Sequence, residues 1–329
     1  MPGLDVLDQM GEEGQRIEPS QVDAVLHRPH QVTFFGNRLC PYAHIAWWSL
    51  LEKNVAFDYV HVDLGQQKPE WYKEKVNPYG TVPSLYDGDK AVFESVIIAE
   101  YVEETFGAEK GTRLMPADPV DRAVVRLVIA HFRERTLPPL YKLLKAQTPA
   151  EANVAKELIL VEMLALEVLY NKHHPLHPAA VASSTPSPGP FLLGAHFSLA
   201  EVVIFPFLDR LSVALQHYRG FHPLRSTHLP RLQAAYEVVQ ERAAWKASTQ
   251  PPAFYIAVYE AYACPPSPAA VREEEKRRGG WLWRAASLVG AVNAAVPLLG
   301  LVSFASLLVG VGVGRYQGWG PHSARTGGR

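Results

Sequence analysis

Val32-Thr33-Phe34-Phe35-Gly36-Asn37-Arg38-Leu39-Cys40-Pro41-Tyr42-Ala43 decides how the first half of the chain is read. Val32 to Phe35 is an apolar run of strand length, and Gly36-Asn37 is a turn signal. Pro41 stands where a first helical residue belongs, and Ile45, Trp48 and Leu51 then recur at threes. The reading is strand, short turn, helix, with a cysteine at the mouth of the helix. Unpaired amides and a partial positive charge at a helix start favour a thiolate. A free cysteine titrates near about 8.5, and such placement lowers it to roughly 3.5–7.5. Arg38 adds a nearby cation. Position 43 is alanine, so Cys40 has no local resolving partner and Cys264 is the chain's second and last cysteine. A monothiol of this kind forms mixed disulfides with a small external thiol.

The flanking sequence extends the pattern. Phe57 to Val62 reads as a second strand and Lys68 to Lys75 as a short helix. Val82 to Tyr86, the turn Asp87-Gly88-Asp89 and Lys90 to Phe93 read as strand, tight turn, strand. Ser95 then opens a helix that stops near Gly107. Residues 31–107 therefore make one small mixed sheet covered by helices. Residues 1–30 read as a loose polar leader and 108–118 as a connector. Residues 119–264 are helix-patterned, with helices at 122–145, 151–172, 198–215, 229–244 and 253–262. A loop rich in His, Pro and Ser interrupts them at 171–190. Ser198-Leu199-Ala200-Glu201 is a capping box, and Pro206 predicts a kink in the helix that follows.

Composition sets the outer bounds. The chain has 329 residues, 48% apolar and 20% charged, enough for two folded units with extras. Its 32 basic against 33 acidic residues argue against a nucleic-acid surface. Two cysteines exclude a disulfide-stapled secreted fold, and no apolar signal precedes residue 16. Histidines 173, 174 and 177 lack carboxylate or thiol partners in sequence, so no metal is expected there. Residues 265–284 read as a linker. Residues 285–314 then run for thirty positions without a charge, where a bilayer core needs only about 20. Trp281, Trp283, Tyr316 and Trp319 suit its two interfaces. This stretch is read as a transmembrane helix, and residues 315–329 as a short tail. The expected location is a tail anchor with the folded part facing the cytosol, in the mitochondrial outer membrane or a similar organelle.

Four motifs together carry a resemblance: Arg38-Leu39-Cys40-Pro41-Tyr42-Ala43, Lys68-Pro69-Glu70-Trp71, Asn77-Pro78-Tyr79-Gly80-Thr81-Val82-Pro83 and Phe93-Glu94-Ser95. In this order and spacing the chain resembles omega-class glutathione transferases and the related dehydroascorbate reductases and lambda-class enzymes, from about residue 31 to about 264. The resemblance implies an α/β thioredoxin-like N-domain, an all-α C-domain and glutathione as cosubstrate, with no metal. It implies that Cys40 is catalytic and forms a mixed disulfide with glutathione. It also implies that Val82, before a cis Pro83, lends its backbone to the cysteinyl part. Glu94 and Ser95 would hold the γ-glutamyl end, and Lys68 would face the glycyl carboxylate. Alone, each reads more plainly: Ser95 as an N-cap, Glu94 as a solvated turn residue, Lys68 as surface charge. The implied activity is thiol transfer or reduction on a small-molecule or protein disulfide, the thiol being glutathione or a derivative of it. Alternatives are a membrane-tethered, non-catalytic sensor or scaffold, and conjugation of glutathione to electrophiles. Family members are commonly dimers, so a homodimer is an expectation.

The sequence departs from the family pattern in places. His44-Ile45 stands where the family often has Glu-Arg, and Glu201 replaces the usual Asp of the capping box. His44, four residues after Cys40 and near enough to tune it, reads as a surface residue of the helix.

Overall fold

A computed structural model describes residues 16–26, 31–64, 68–107, 111–171, 189–225 and 228–264. They belong to one compact unit, residues 1–267. The apolar stretch 285–314 and the histidines at 173, 174 and 177 lie outside the described residues. Among the described residues no helix is long and apolar enough to cross a membrane.

The first half follows the expected order: β1 (Val32–Gly36), α2 (Pro41–Glu52), β2 (Phe57–His61), α3 (Glu70–Lys75), β3 (Ser84–Asp87), β4 (Lys90–Phe93) and α4 (Ser95–Phe106). The sheet order is β2-β1-β3-β4, with β1 parallel to β2 and the other pairs antiparallel. A parallel neighbour needs a crossover, and α2 supplies it. All five residues of β1 are buried, as suits a central strand covered on both faces. β3 begins at Ser84 rather than Val82, because Val82–Pro83 is a cis peptide bond outside the ladder.

Residues 19–26 differ from the expected loose leader. A short 3-10 turn, Pro19–Gln21, leads into α1 (Val22–Leu26). Its Val22, Val25 and Leu26 are buried and cluster with Phe35, Val60, Val62, Tyr72 and Val76. Three apolar residues within one turn and a half give even this short segment a face to bury.

The second half is all helical: α5 (Pro119–His131), a π-helical turn (Phe132–Thr136), α6 (Leu137–Lys145), α7 (Pro149–Asn171), α8 (Leu199–Arg219), α9 (Pro230–Glu241), α10 (Ala243–Ser248) and α11 (Pro252–Ala263). Two sequence-predicted helices are interrupted. The π turn, which inserts one residue into the helical ladder, splits the helix read at 122–145. Arg242, with extended dihedrals, ends α9 and caps α10. The capping box of α8 forms as read. Glu201 reaches the amide of Ser198 at 2.9 Å and, with its extra methylene, that of Leu192 at 2.8 Å. Pro206 lies inside α8. One continuous core joins Trp48 and Ile45 of α2 to Phe132, Phe205, Phe207 and Trp245 of the helical half.

Candidate functional site

Cys40 sits where the loop after β1 turns into α2. It is the N-cap residue (φ −85°, ψ 118°), with Pro41 as the first helical residue. Asn37, 4% exposed, builds this loop. Its side chain accepts from the Leu39 amide (2.9 Å) and donates to the Val62 carbonyl (2.9 Å), and its carbonyl accepts from the Cys40 amide (3.0 Å). A buried Asn with donors and acceptors all paired holds the backbone in one geometry.

The Cys40 sulfur lies 3.9 Å from the Val82 carbonyl oxygen, to which the thiol donates. The turn bearing Val82 is itself braced. Fully buried Tyr72 donates to the Thr81 carbonyl at 2.8 Å, and fully buried Asn77 donates to the same oxygen at 3.0 Å. Pro83 is buried behind it. Ser95, 4% exposed, is the first residue of α4. Glu94 before it is exposed and takes φ 74°, a region that non-glycine residues rarely occupy. Such outliers gather at functional sites. Lys68 is partly buried and its ammonium donates to the Asp63 carbonyl.

These six residues do not all touch. Cys40 and Val82 are in contact, and Lys68 acts on the Cys40 sulfur through its charge. Glu94 and Cys40 both act on Tyr42, whose ring packs edge-on against Phe207 at 4.9 Å.

Electrostatics corrects one expectation. Burial pushes the Cys40 thiol up. The amides of Ala43 and Tyr42 and the charges of Arg210 and Lys68 oppose that without overcoming it. The helix mouth acts with the sign read from sequence, but desolvation of a sulfur against Val82 and the α2 backbone outweighs it. The Arg38 guanidinium lies over the Trp47 ring, 5.4 Å from the centroid.

His44 corrects another. It is 2% exposed, with Nε2 2.8 Å from the Ser248 hydroxyl and Nδ1 2.8 Å from an Nη of Arg210. Burial, then the Arg210 charge, holds its ring well below the ordinary titration range. Arg210 itself, 1% exposed, gave no separate signal in the sequence beyond being a charge within the apolar run of α8. Among the described residues no group of three or more His, Cys, Asp or Glu can hold a metal.

Two family models match the chain: Glutathione S-transferase, N-terminal domain, over residues 34–110, and Glutathione S-transferase, C-terminal domain, over residues 178–248. The chain is 32% identical over 183 residues to a stringent starvation protein A homolog of Pasteurella multocida, covering 55% of this chain and 74% of the relative. It is 25% identical over 181 residues to glutathione S-transferase omega-1 of Sus scrofa, covering 55% and 67%. Its fold is similar to the crystal structure of glutathione transferase Omega 3C from Trametes versicolor, with a TM-score of 0.59 at 24% identity, over 78% of this chain and 97% of that one.

Proposed function

The chain belongs to the glutathione S-transferase family, with omega-class members among its relatives, and from that membership and the setting of Cys40 we propose a glutathione-dependent thiol transferase or reductase working through one cysteine. It is an enzyme of the glutathione transferase and thiol oxidoreductase type, and glutathione is its cosubstrate. The observation that carries the finer reading is the sulfur of Cys40 at the amide-rich start of α2, against the Val82 carbonyl.

The reaction needs no cofactor. Cys40 gives up its proton, and its thiolate attacks the glutathione sulfur of a mixed disulfide. That S–S bond breaks, the product thiolate leaves and takes up a proton, and a Cys40–glutathione disulfide forms. A second glutathione thiolate attacks the glutathione sulfur of that adduct, releasing glutathione disulfide and restoring Cys40. In this reading Val82 offers its backbone to the cysteinyl part, with Pro83 fixing the turn. Ser95 presents the unpaired amides of the α4 start to the γ-glutamyl carboxylate. Glu94 accepts from the γ-glutamyl ammonium, and Lys68 faces the glycyl carboxylate. The second substrate is a small-molecule or protein disulfide. Replacing Cys40 with alanine should abolish thiol transfer, and unchanged turnover would refute the mechanism.

The apolar stretch 285–314 supports a further part of the proposal, a C-terminal anchor that tethers the folded unit to a membrane facing the cytosol.

A further inference from the structure

A buried arginine ordinarily faces a carboxylate, because an unpaired charge in the interior is costly. Arg210 has no such partner among the described residues. Nη1 donates to the Pro206 carbonyl (2.9 Å) and lies 2.8 Å from His44 Nδ1, while Nη2 donates to the Arg38 carbonyl (3.3 Å). Nε is buried without a partner. The guanidinium stacks over the Tyr255 ring, 4.9 Å from its centroid. Its sequence neighbour Asp209 lends a field, but its oxygens are taken by the hydroxyls of Tyr236 and Thr249. Every group that accepts a hydrogen bond from Arg210 is thus neutral.

His44 fits this role by its tautomer. A guanidinium only donates, so Nδ1 must accept and the ring proton sits on Nε2. That proton goes to the Ser248 hydroxyl, which in turn donates to the Ala244 carbonyl at 2.8 Å. The chain is satisfied at each link with no added charge. Its other end, through the Arg38 carbonyl, fastens the loop two residues before Cys40.

Besides the amides of Ala43 and Tyr42, the groups coupled to the Cys40 sulfur through charge include the phenols of Tyr42, Tyr59, Tyr72 and Tyr259 and the cations Lys68 and Arg210. Burial pushes all four phenols up, so they stay neutral at working pH. Lys68 is partly exposed, and in the proposed mode a substrate carboxylate takes its charge. Arg210 is sealed from solvent.

We infer that Arg210 is a positioning cation for the Cys40 thiolate, and that His44 keeps it effective by accepting its hydrogen bond without neutralising its charge. The attacking sulfur therefore depends on a residue 170 positions away on α8 and on a histidine one turn into its own helix. This deepens the reading of Cys40 as the nucleophile and rests on it.

The test uses the full-length chain with Cys264, an exposed thiol, changed to serine. The rate of Cys40 alkylation by iodoacetamide is followed against pH, a readout that needs no glutathione. Arg210→Met should move the thiol's titration upward by about one unit, a roughly ten-fold loss of alkylation rate below the transition. At high pH, where every thiol is ionised, its rate should rejoin that of the parent. A merely structural role would lower the rate at all pH values. Arg210→Lys should restore much of the shift. His44→Glu, which supplies a carboxylate to pair with Arg210, should also shift the titration up, and His44→Gln, whose amide oxygen still accepts, should shift it less. Should Arg210→Met not fold, the contrast between the two His44 variants decides. Coincident profiles for them, or an Arg210→Met profile equal to the parent's, overturn the inference. Adduct formation with glutathione disulfide, measured separately on the parent, judges the underlying reading, so the two can fail independently.

Discussion

His44 shows how one residue can be misread by its neighbours in sequence. Four residues into a helix and polar, it belongs on a water-facing side. Yet α2 buries Pro41, Ala43 to Leu50 and Glu52, so it has almost no such side. What makes room for a polar ring is Arg210, distant in sequence, and no local pattern reports it. The burial has a consequence for stability. The folded ring refuses a proton that the unfolded chain accepts below about pH 6.5. Stability is therefore intact above that pH and falls as the pH drops below it, by up to about 1.4 kcal/mol per pH unit. Chemical unfolding of the parent and of His44→Gln between pH 7 and 5 should show a smaller acid loss in the variant. Equal losses would mean the ring protonates freely in the folded state.

At the scale of elements, the joint between α2 and the helical half is built on Glu52, 5% exposed. One oxygen accepts from Trp48 Nε1 (3.0 Å) and Arg242 Nε (2.7 Å). The other accepts from Arg242 Nη2 (2.6 Å) and the Thr112 hydroxyl (2.8 Å). Gly111 passes so close that a Cβ there would stand 2.1 Å from the Glu52 carbonyl oxygen, and its φ of +65° is one that side-chain-bearing residues rarely adopt. Glu52→Gln should cost about 2–3 kcal/mol, low for a broken buried pair because Arg242 keeps some water. Denaturant unfolding measures it, and a change below about 0.5 kcal/mol would place the joint elsewhere. Local signals made much of this scale readable beforehand: Pro41 at a helix start, the Ser198 and Glu201 cap, the Asp87-Gly88-Asp89 turn. The π turn at Phe132–Thr136 and the break at Arg242 escaped because the apolar spacing runs through both. In the site, Cys40, Val82 and Ser95 stood out by motif, whereas Asn37 and Tyr72 act through contacts made when the first half folds, and Arg210 through contacts made only once the halves are packed.

For the whole molecule, the sequence extends well past the last described helix. The anchor proposal rests on residues 285–314 alone and is tested on the full-length chain in membranes. The parent should stay with the membrane pellet through an alkaline wash. Leu301→Asp together with Val302→Asp should release it, since each buried aspartate costs about 2.5–3.5 kcal/mol at a span centre. A parent chain that washes off would contradict the anchor and leave the folded unit's chemistry untouched.

That chemistry turns on one sulfur. Incubating the full-length chain with glutathione disulfide, weighing it and mapping the product by peptide analysis addresses it directly. One glutathione should be found, in disulfide linkage to Cys40, removed by excess glutathione and absent from Cys40→Ala. A chain that takes up none, or takes it only at Cys264, would contradict a mechanism built on Cys40.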